Sequence, residues 1–215
     1  MKSFLNTIRC EGKPISVGRQ MIDTMCVLFL GIALGTISKM LDHTPGSDLP
    51  FIFEYLDIGN FLGRFAVWIF IAVCISIYSN SSVRAAVNVF VFFAGMVTSY
   101  YLYSKFVAGF FPASYAMIWF GFTAVSPILA FICWYAKGES RLSFVLSSVI
   151  IAVLFNMTFV YGWIYFDMRS ILELAVFLSG LAVLKRKTIG NSIMMTAMGI
   201  VLAFVLELLA PFHFG

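Results

Sequence analysis

Lys39, Arg64 and Glu207 stand where an ionisable side chain is hardest to keep, inside or at the ends of long apolar runs. A charge at the bilayer centre costs ~2.5–3.5 kcal/mol on insertion scales, so its retention in a span needs a reason. Lys39 lies near the end of the first run, with Asp42 and His43 just beyond it. Arg64 lies four or five residues into the second run, and Glu207 lies near the end of the last, continuing the face of Ala203. Long Lys and Arg side chains can snorkel to the interface, whereas the shorter Glu207 reaches it less well. Two accounts stand. One is an ion pair, Arg64–Glu207 or Lys39–Glu207. The other is an outward-facing polar ligand site built from Lys39, Asp42, Arg64 and Glu207. Asp23 and Glu173 have local explanations: Asp23 in the first turn of the first span, where a helix N-terminus favours a carboxylate, and Glu173 in the capping-box pattern Ser170-x-x-Glu173.

Enzymatic signatures are missing. The sequence has no HExxH, no GxSxG and no phosphate-binding GxxxxGK[ST]. Its four cysteines, Cys10, Cys26, Cys74 and Cys133, form no CxxC pair and no zinc-type cluster. His43 and His213 fall outside the apolar runs, at the opposite membrane face from the cysteines. No catalytic residue, metal ligand set or cofactor is expected.

The elements that position these residues follow from composition. Of 215 residues, 61% are hydrophobic and 11% charged, against about 25% charged in soluble domains. Mean hydropathy is +0.98. A soluble domain, a disulfide scaffold, a disordered tail and a nucleic-acid module are excluded, which leaves an all-α polytopic transmembrane bundle. A span needs ~20 apolar residues, and seven stretches meet or approach this: 21–41, 60–79, 85–105, 113–135, 142–162, 170–184 and 188–209. The sixth is short. It extends back through residues 163–166, lies with little tilt, or is only partly inserted, leaving six spans.

Loop charge sets the orientation. Ten of the fourteen basic residues fall on one side: Lys2, Arg9, Lys13, Arg19, Arg84, Lys137, Arg141, Lys185, Arg186 and Lys187. Asp42, Asp48, Glu54, Asp57 and Asp167 mark the other. With seven spans, the N-terminus is cytoplasmic and the C-terminus outside. Residues 1–20 then form a basic cytoplasmic segment, and 21–215 one transmembrane domain with an outer loop at 42–59. Tyr100, Tyr101, Tyr103, Trp134, Tyr135, Trp163 and Tyr165 read as interfacial belts, or as an aromatic cage.

Other features concern packing and motion. Asp48 is the expected N-cap of a short amphipathic loop helix with Pro50 in its first turn and Gly59 as its stop. Such a helix is either a connector or a lid. Ser126-Pro127 predicts a kink in span 4, with a hinge as the sharper expectation. Gly31, Gly35 and Ser38 share one face of span 1, and Ser192, Thr196, Gly199 and Ala203 one face of span 7. Such stripes permit close helix approach, within the bundle or with another membrane subunit. Arg84-x3-Asn88 followed by Gly95 resembles Lys187-x3-Asn191 followed by Gly199, which raises two parallel repeats, spans 1–3 and 5–7, although spans 1 and 5 show no match.

These features point to a small-solute carrier, or to the ligand-binding membrane subunit of a larger transporter. The partners implied are the lipid bilayer, a small-molecule substrate, and a partner membrane subunit or ATPase. The expected location is the plasma membrane, specifically a bacterial cytoplasmic membrane. A non-catalytic interaction or assembly subunit is the alternative, and an intramembrane enzyme the least favoured reading.

Overall fold

Without water in hydrocarbon, each backbone N–H and C=O must be satisfied within its own segment, so long apolar runs become helices. The computed structural model is all-α in class and 80% helical. It describes residues 2–12, 14–162 and 164–209. Lys13, Trp163 and His213 lie outside the described residues, as does the rest of 210–215. The helices are α1 (Lys2–Ile8), α2 (Val17–His43), α3 (Phe51–Tyr55), α4 (Ile58–Gly63), α5 (Phe65–Tyr78), α6 (Ser82–Phe106) and α7 (Ala113–Trp134). They continue with α8 (Arg141–Thr158), α9 (Ile171–Leu184) and α10 (Ile189–Leu209). Between α8 and α9 stands an antiparallel pair, β1 (Phe159–Tyr161) and β2 (Phe166–Met168).

Among the described residues five helices are long and apolar enough to cross a membrane: α2, α6, α7, α8 and α10. Helices α5 and α9 have 14 residues each. At 1.5 Å per residue that is about 21 Å, short of the roughly 30 Å hydrocarbon core.

Several boundaries differ from the sequence expectation. Phe166 does not extend α9 backward; it enters β2, paired with Tyr161. The second apolar run is broken at Arg64, between α4 and α5. Helix α2 begins at Val17 behind the Ser16 N-cap, which places Asp23 in its second turn, paired with Arg19 at 3.1 Å. In the loop after α2, Asp48 ends a tight turn over Gly46–Asp48, and the N-cap residue of α3 is Pro50 rather than Asp48. Gly59 stops no helix and lies inside α4. Between α3 and α4 the chain turns at Asp57, held at φ 52° with Asn60 Nδ2 donating to its carboxylate at 2.9 Å.

The chain folds as two compact units. The first comprises Met1–Cys10, Phe61–Cys74 and Tyr135–Gly215; the second comprises Glu11–Asn60 and Ile75–Trp134. In the second unit α2 packs on α6, and α6 on α7. Gly31 and Gly35 are buried there: a Cβ at Gly35 would strike the Met96 carbonyl oxygen and Ser99 Oγ. In the first unit α8 packs on α10 and α9, and a Cβ at Gly199 would meet Ile151 and the Ser148 carbonyl. Both small-residue stripes are therefore used inside the chain. The face of span 1 read as packing within the bundle or docking another subunit lies against α6.

The two units share a packing device. Arg84 Nη2 donates to the Gln20 carbonyl at 2.8 Å and to Thr24 Oγ1, one turn later on α2. Arg186 Nη2 donates to the Ser143 carbonyl at 2.6 Å and to Ser147 Oγ at 2.9 Å, one turn later on α8. One turn further again, Leu28 faces Gly95 and Ile151 faces Gly199. The residue used in the first unit is Arg186, not the Lys187 that the sequence comparison set opposite Arg84. A guanidinium carries five N–H donors and seeks acceptors; Thr24 and Ser147 each supply a hydroxyl oxygen one turn beyond the bonded carbonyl.

Helix α7 runs through Pro127. Proline has no N–H to give the carbonyl four residues earlier, here Thr123. The Ser126 hydroxyl donates to that carbonyl at 2.8 Å, and the Thr123 hydroxyl to Trp119 O at 2.9 Å.

Gly35→Leu is expected to force α2 from α6, at a cost of about 1–3 kcal/mol. Gly18→Ala, with nothing within 4 Å of the new carbon, should cost nothing and raise stability by up to about 1 kcal/mol. Thermal melts of both variants in detergent check the contrast.

Candidate functional site

The site of highest electrostatic cost lies in the first unit, at the start of α9. Ser170 is the N-cap there, with extended backbone, and its hydroxyl oxygen accepts from Leu172 N at 3.2 Å. The same hydroxyl donates to Glu173 Oε2. Ser170 thus caps α9 as its spacing predicts, but the reciprocal half of the box differs: Glu173 takes the Ser170 hydroxyl rather than the Ser170 N–H. Glu173 is 0% exposed. Burying an ionised carboxylate without a partner would be prohibitive, and Arg64 meets it: Nε lies 2.5 Å from Oε1.

Three pieces of backbone bring these groups together. Arg64 sits at the α4–α5 break, where Trp68 Nε1 donates to the Leu62 carbonyl at 2.8 Å and satisfies an acceptor the break frees. The β1–β2 pair folds the end of α8 onto the start of α9, with Arg169 N donating to Thr158 O at 3.0 Å. The Thr158 hydroxyl then reaches the Glu173 carbonyl oxygen at 3.1 Å. Phe155, Phe159, Phe166 and Phe177 pack together beside these elements, with ring centroids 4.7–6.4 Å apart.

The pair is close but incompletely satisfied. Glu173 Oε1 and Arg64 Nε and Nη2 are buried and make no aligned hydrogen bond. A buried ion pair is seldom a net source of stability, because desolvation offsets the attraction, whereas removing one partner costs about 3–5 kcal/mol. Lost hydration and unfilled hydrogen-bonding capacity make this a place where a ligand's charged group could compete.

The expected ligand residues divide between the units. In the first unit Arg64 takes Glu173 as its acidic partner, so the expected Arg64–Glu207 pair does not form. Glu207 lies near Tyr161 instead, and its charge acts on that phenol. The Tyr161 hydroxyl donates to Asn156 Oδ1 at 2.9 Å, and Asn156 Nδ2 donates to the Ala203 carbonyl at 3.1 Å. In the second unit Lys39 pairs with Asp42 at 2.5 Å. The Tyr100 hydroxyl donates to Asp42 at 3.2 Å, and Lys39 Nζ lies 5.2 Å from the Tyr100 ring centroid. Beside them Tyr101 buries its hydroxyl without a partner against Phe111 and Phe120.

Local sequence spacing gives Glu173 a capping role alone. Arg64 stands in another apolar run, and no local pattern announces their contact. Arg186 likewise reads from sequence only as a topology determinant, together with Lys185 and Lys187. Its guanidinium also donates to the Gly138 carbonyl at 2.5 Å and the Ala136 carbonyl at 3.1 Å, and burial lowers its pKa.

Ser192 and Thr196 turn their hydroxyls to the backbone of their own segment, at Thr188 O and Ser192 O. Among the described residues no group of three or more His, Cys, Asp and Glu side chains is placed to hold a metal. A cavity of about 420 Å³ opens in the second unit; Lys39, Asp42, Arg64 and Glu207 do not line it. Compared with models of known families, with curated proteins and with solved structures, the chain matches none.

Arg64→Ala should lower stability by about 3–5 kcal/mol, because it leaves the Glu173 carboxylate buried alone. Adding Glu173→Gln, which removes the charge and keeps a partner for Ser170, should restore most of the loss. Adding Glu207→Gln to Arg64→Ala should restore none. Denaturation midpoints of the single and double variants separate these outcomes.

Proposed function

We propose that this chain is a multi-pass integral membrane protein that captures a small charged solute, as a carrier or as the ligand-binding membrane subunit of a larger transporter. The observation that carries the reading is the Arg64–Glu173 pair: a fully buried carboxylate and a guanidinium with unfilled hydrogen-bonding capacity, set among largely apolar helices. Ionisable groups kept at such cost in apolar helices mark solute and ion pathways by default. A solute carboxylate can take the place of Glu173 on Arg64, and a solute ammonium can take the place of Arg64 on Glu173.

The helix geometry supports this reading. Transporter sites are commonly formed where membrane helices are discontinuous, and Arg64 occupies the break between α4 and α5. In the seven-span arrangement α4 and α5 cross as one broken helix. The short α9 completes its crossing with the β1–β2 pair, whose irregular backbone is tolerable where protein covers it. The basic turns then face the cytoplasm, and the bacterial cytoplasmic membrane is the proposed location. The sequence holds no phosphate-binding loop, so active transport would draw on an ion gradient or a partner ATPase. The interaction-subunit reading rests on the small-residue stripes, which α6 and α8 occupy within the chain.

The test is a thermal-shift screen of the purified chain in detergent against carboxylates, amines and zwitterions. One class should raise the melting temperature through linkage. That rise should vanish in the charge-free Arg64→Met/Glu173→Gln variant while the variant's unliganded melt stays cooperative. No stabilisation by any class, or a rise that survives in the variant, would count against the site.

A further inference from the structure

We propose that the second unit carries a separate recognition site for a phosphate group bearing a primary amine, a headgroup of the phosphoethanolamine type. The site is the cavity of about 420 Å³ at the end where α2 and α6 begin, lined by Glu11, Gln20, Asn80, Ser81, Val83 and Arg84. A water molecule claims roughly 30 Å³ of liquid volume, so the space suits a headgroup rather than a single ion.

Arg84 supplies the anion-binding part. Its Nη2 is tied to the Gln20 carbonyl at 2.8 Å, to Thr24 Oγ1 and to Asn88 Oδ1 at 3.1 Å. Its Nε and Nη1 make no hydrogen bond to the described residues and are not sealed from solvent. A guanidinium fixed at one nitrogen has already lost the rotamer freedom that a free side chain gives up on binding. Its open N–H groups offer charge-assisted hydrogen bonds to phosphate oxygens.

Glu11 supplies the second part. It lines the same cavity, and its segment is held in place by Gly12 N donating to Asn80 O at 3.1 Å. An inorganic phosphate or a purely anionic head would meet this carboxylate as a like charge. A primary ammonium beside the phosphate removes the conflict and donates N–H groups to it. Among the described residues of the lining, one guanidinium and one carboxylate complement a zwitterion.

The surroundings suggest where such a group comes from. Val17, Met21, Val83 and Val87 are exposed apolar residues around the starts of α2 and α6, both long enough to span a membrane. On the membrane reading, this end of the unit stands at headgroup depth. The lipid origin of the group rests on that reading; recognition of the soluble headgroup does not.

The experiment uses the full chain in two settings. In detergent, binding of phosphoethanolamine, inorganic phosphate and ethanolamine is measured by thermal shift and calorimetry. In nanodiscs, enrichment around the protein is measured for phosphatidylethanolamine, phosphatidylglycerol and phosphatidylcholine, the last lacking ammonium N–H donors. Phosphatidylethanolamine should be preferred over both other lipids by about tenfold, the ratio one charge-assisted contact supplies. Glu11→Gln should bring phosphatidylethanolamine and phosphatidylglycerol to parity. Arg84→Gln should weaken every phosphate-bearing probe about tenfold or more. Arg84 also ties α6 to α2, so Glu11→Gln, at an exposed residue, tests the site without risk to the fold.

Binding of soluble phosphoethanolamine alone supports the site with a free metabolite as its source; lipid preference supports it with the headgroup as source. Absence of both, or an unchanged preference in Glu11→Gln, overturns it. Glu11→Gln leaves Arg64 and Glu173 intact, so the solute response of the other site reads out independently.

Discussion

The contact between Glu173 and Arg64 sets the terms for the first unit. A carboxylate at 0% exposure demands a counter-charge, hydrogen-bond donors and a cover that excludes water. Each demand is met by a different stretch of chain. The α4–α5 break presents Arg64, Ser170 caps α9 and bonds Glu173 Oε2, and the β1–β2 pair draws Thr158 to the Glu173 carbonyl. Gly63, a poor helix former, makes a break before residue 64 inexpensive, and the charge pair gives that break its use. The break, the short α9 and the hairpin are intelligible together as consequences of one buried ion pair.

The same constraint explains the polar groups elsewhere. Arg84 and Arg186 donate to carbonyls and hydroxyls near the starts of α2 and α8, so two basic residues that look like loop charges act as cross-helix ties. Pro127 frees one carbonyl, and the adjacent Ser126 hydroxyl claims it. With few charges and little water to share, each polar atom gains from a partner inside the chain. The small residues serve the same end: Gly35 and Gly199 let helices approach until carbonyls and hydroxyls come within reach.

The proposed solute site follows from where this satisfaction is incomplete. A tie such as Arg186, spread over several carbonyls, is ordinary scaffolding. The Arg64–Glu173 pair differs because both members retain unfilled capacity. Lys39 and Asp42, by contrast, neutralise each other one turn apart on α2, with Tyr100 completing the contact. Of the residues singled out by charge at span ends, Arg64 is the one whose environment leaves room for a competing ligand group.

Composition and short-range spacing were enough for the class of molecule and much of its local grammar. Sixty-one per cent hydrophobic residues compelled apolar helices, the Ser170-x-x-Glu173 spacing wrote the cap, and Ser126-Pro127 named the carbonyl problem and its donor. These are relations within a turn or two of helix, where spacing fixes geometry. Which charges meet was left to the packing. Glu207 and Glu173 are both acids at span ends, and Arg64 could have served either; the choice depended on a helix break and a hairpin that apolar periodicity does not encode. Helix lengths were settled there too, since the run containing Arg64 is apolar enough to be read as continuous. Long-range pairing of charges carries no periodic signature, because the partners' separation along the chain is set by how helices pack rather than by the repeat of any one of them.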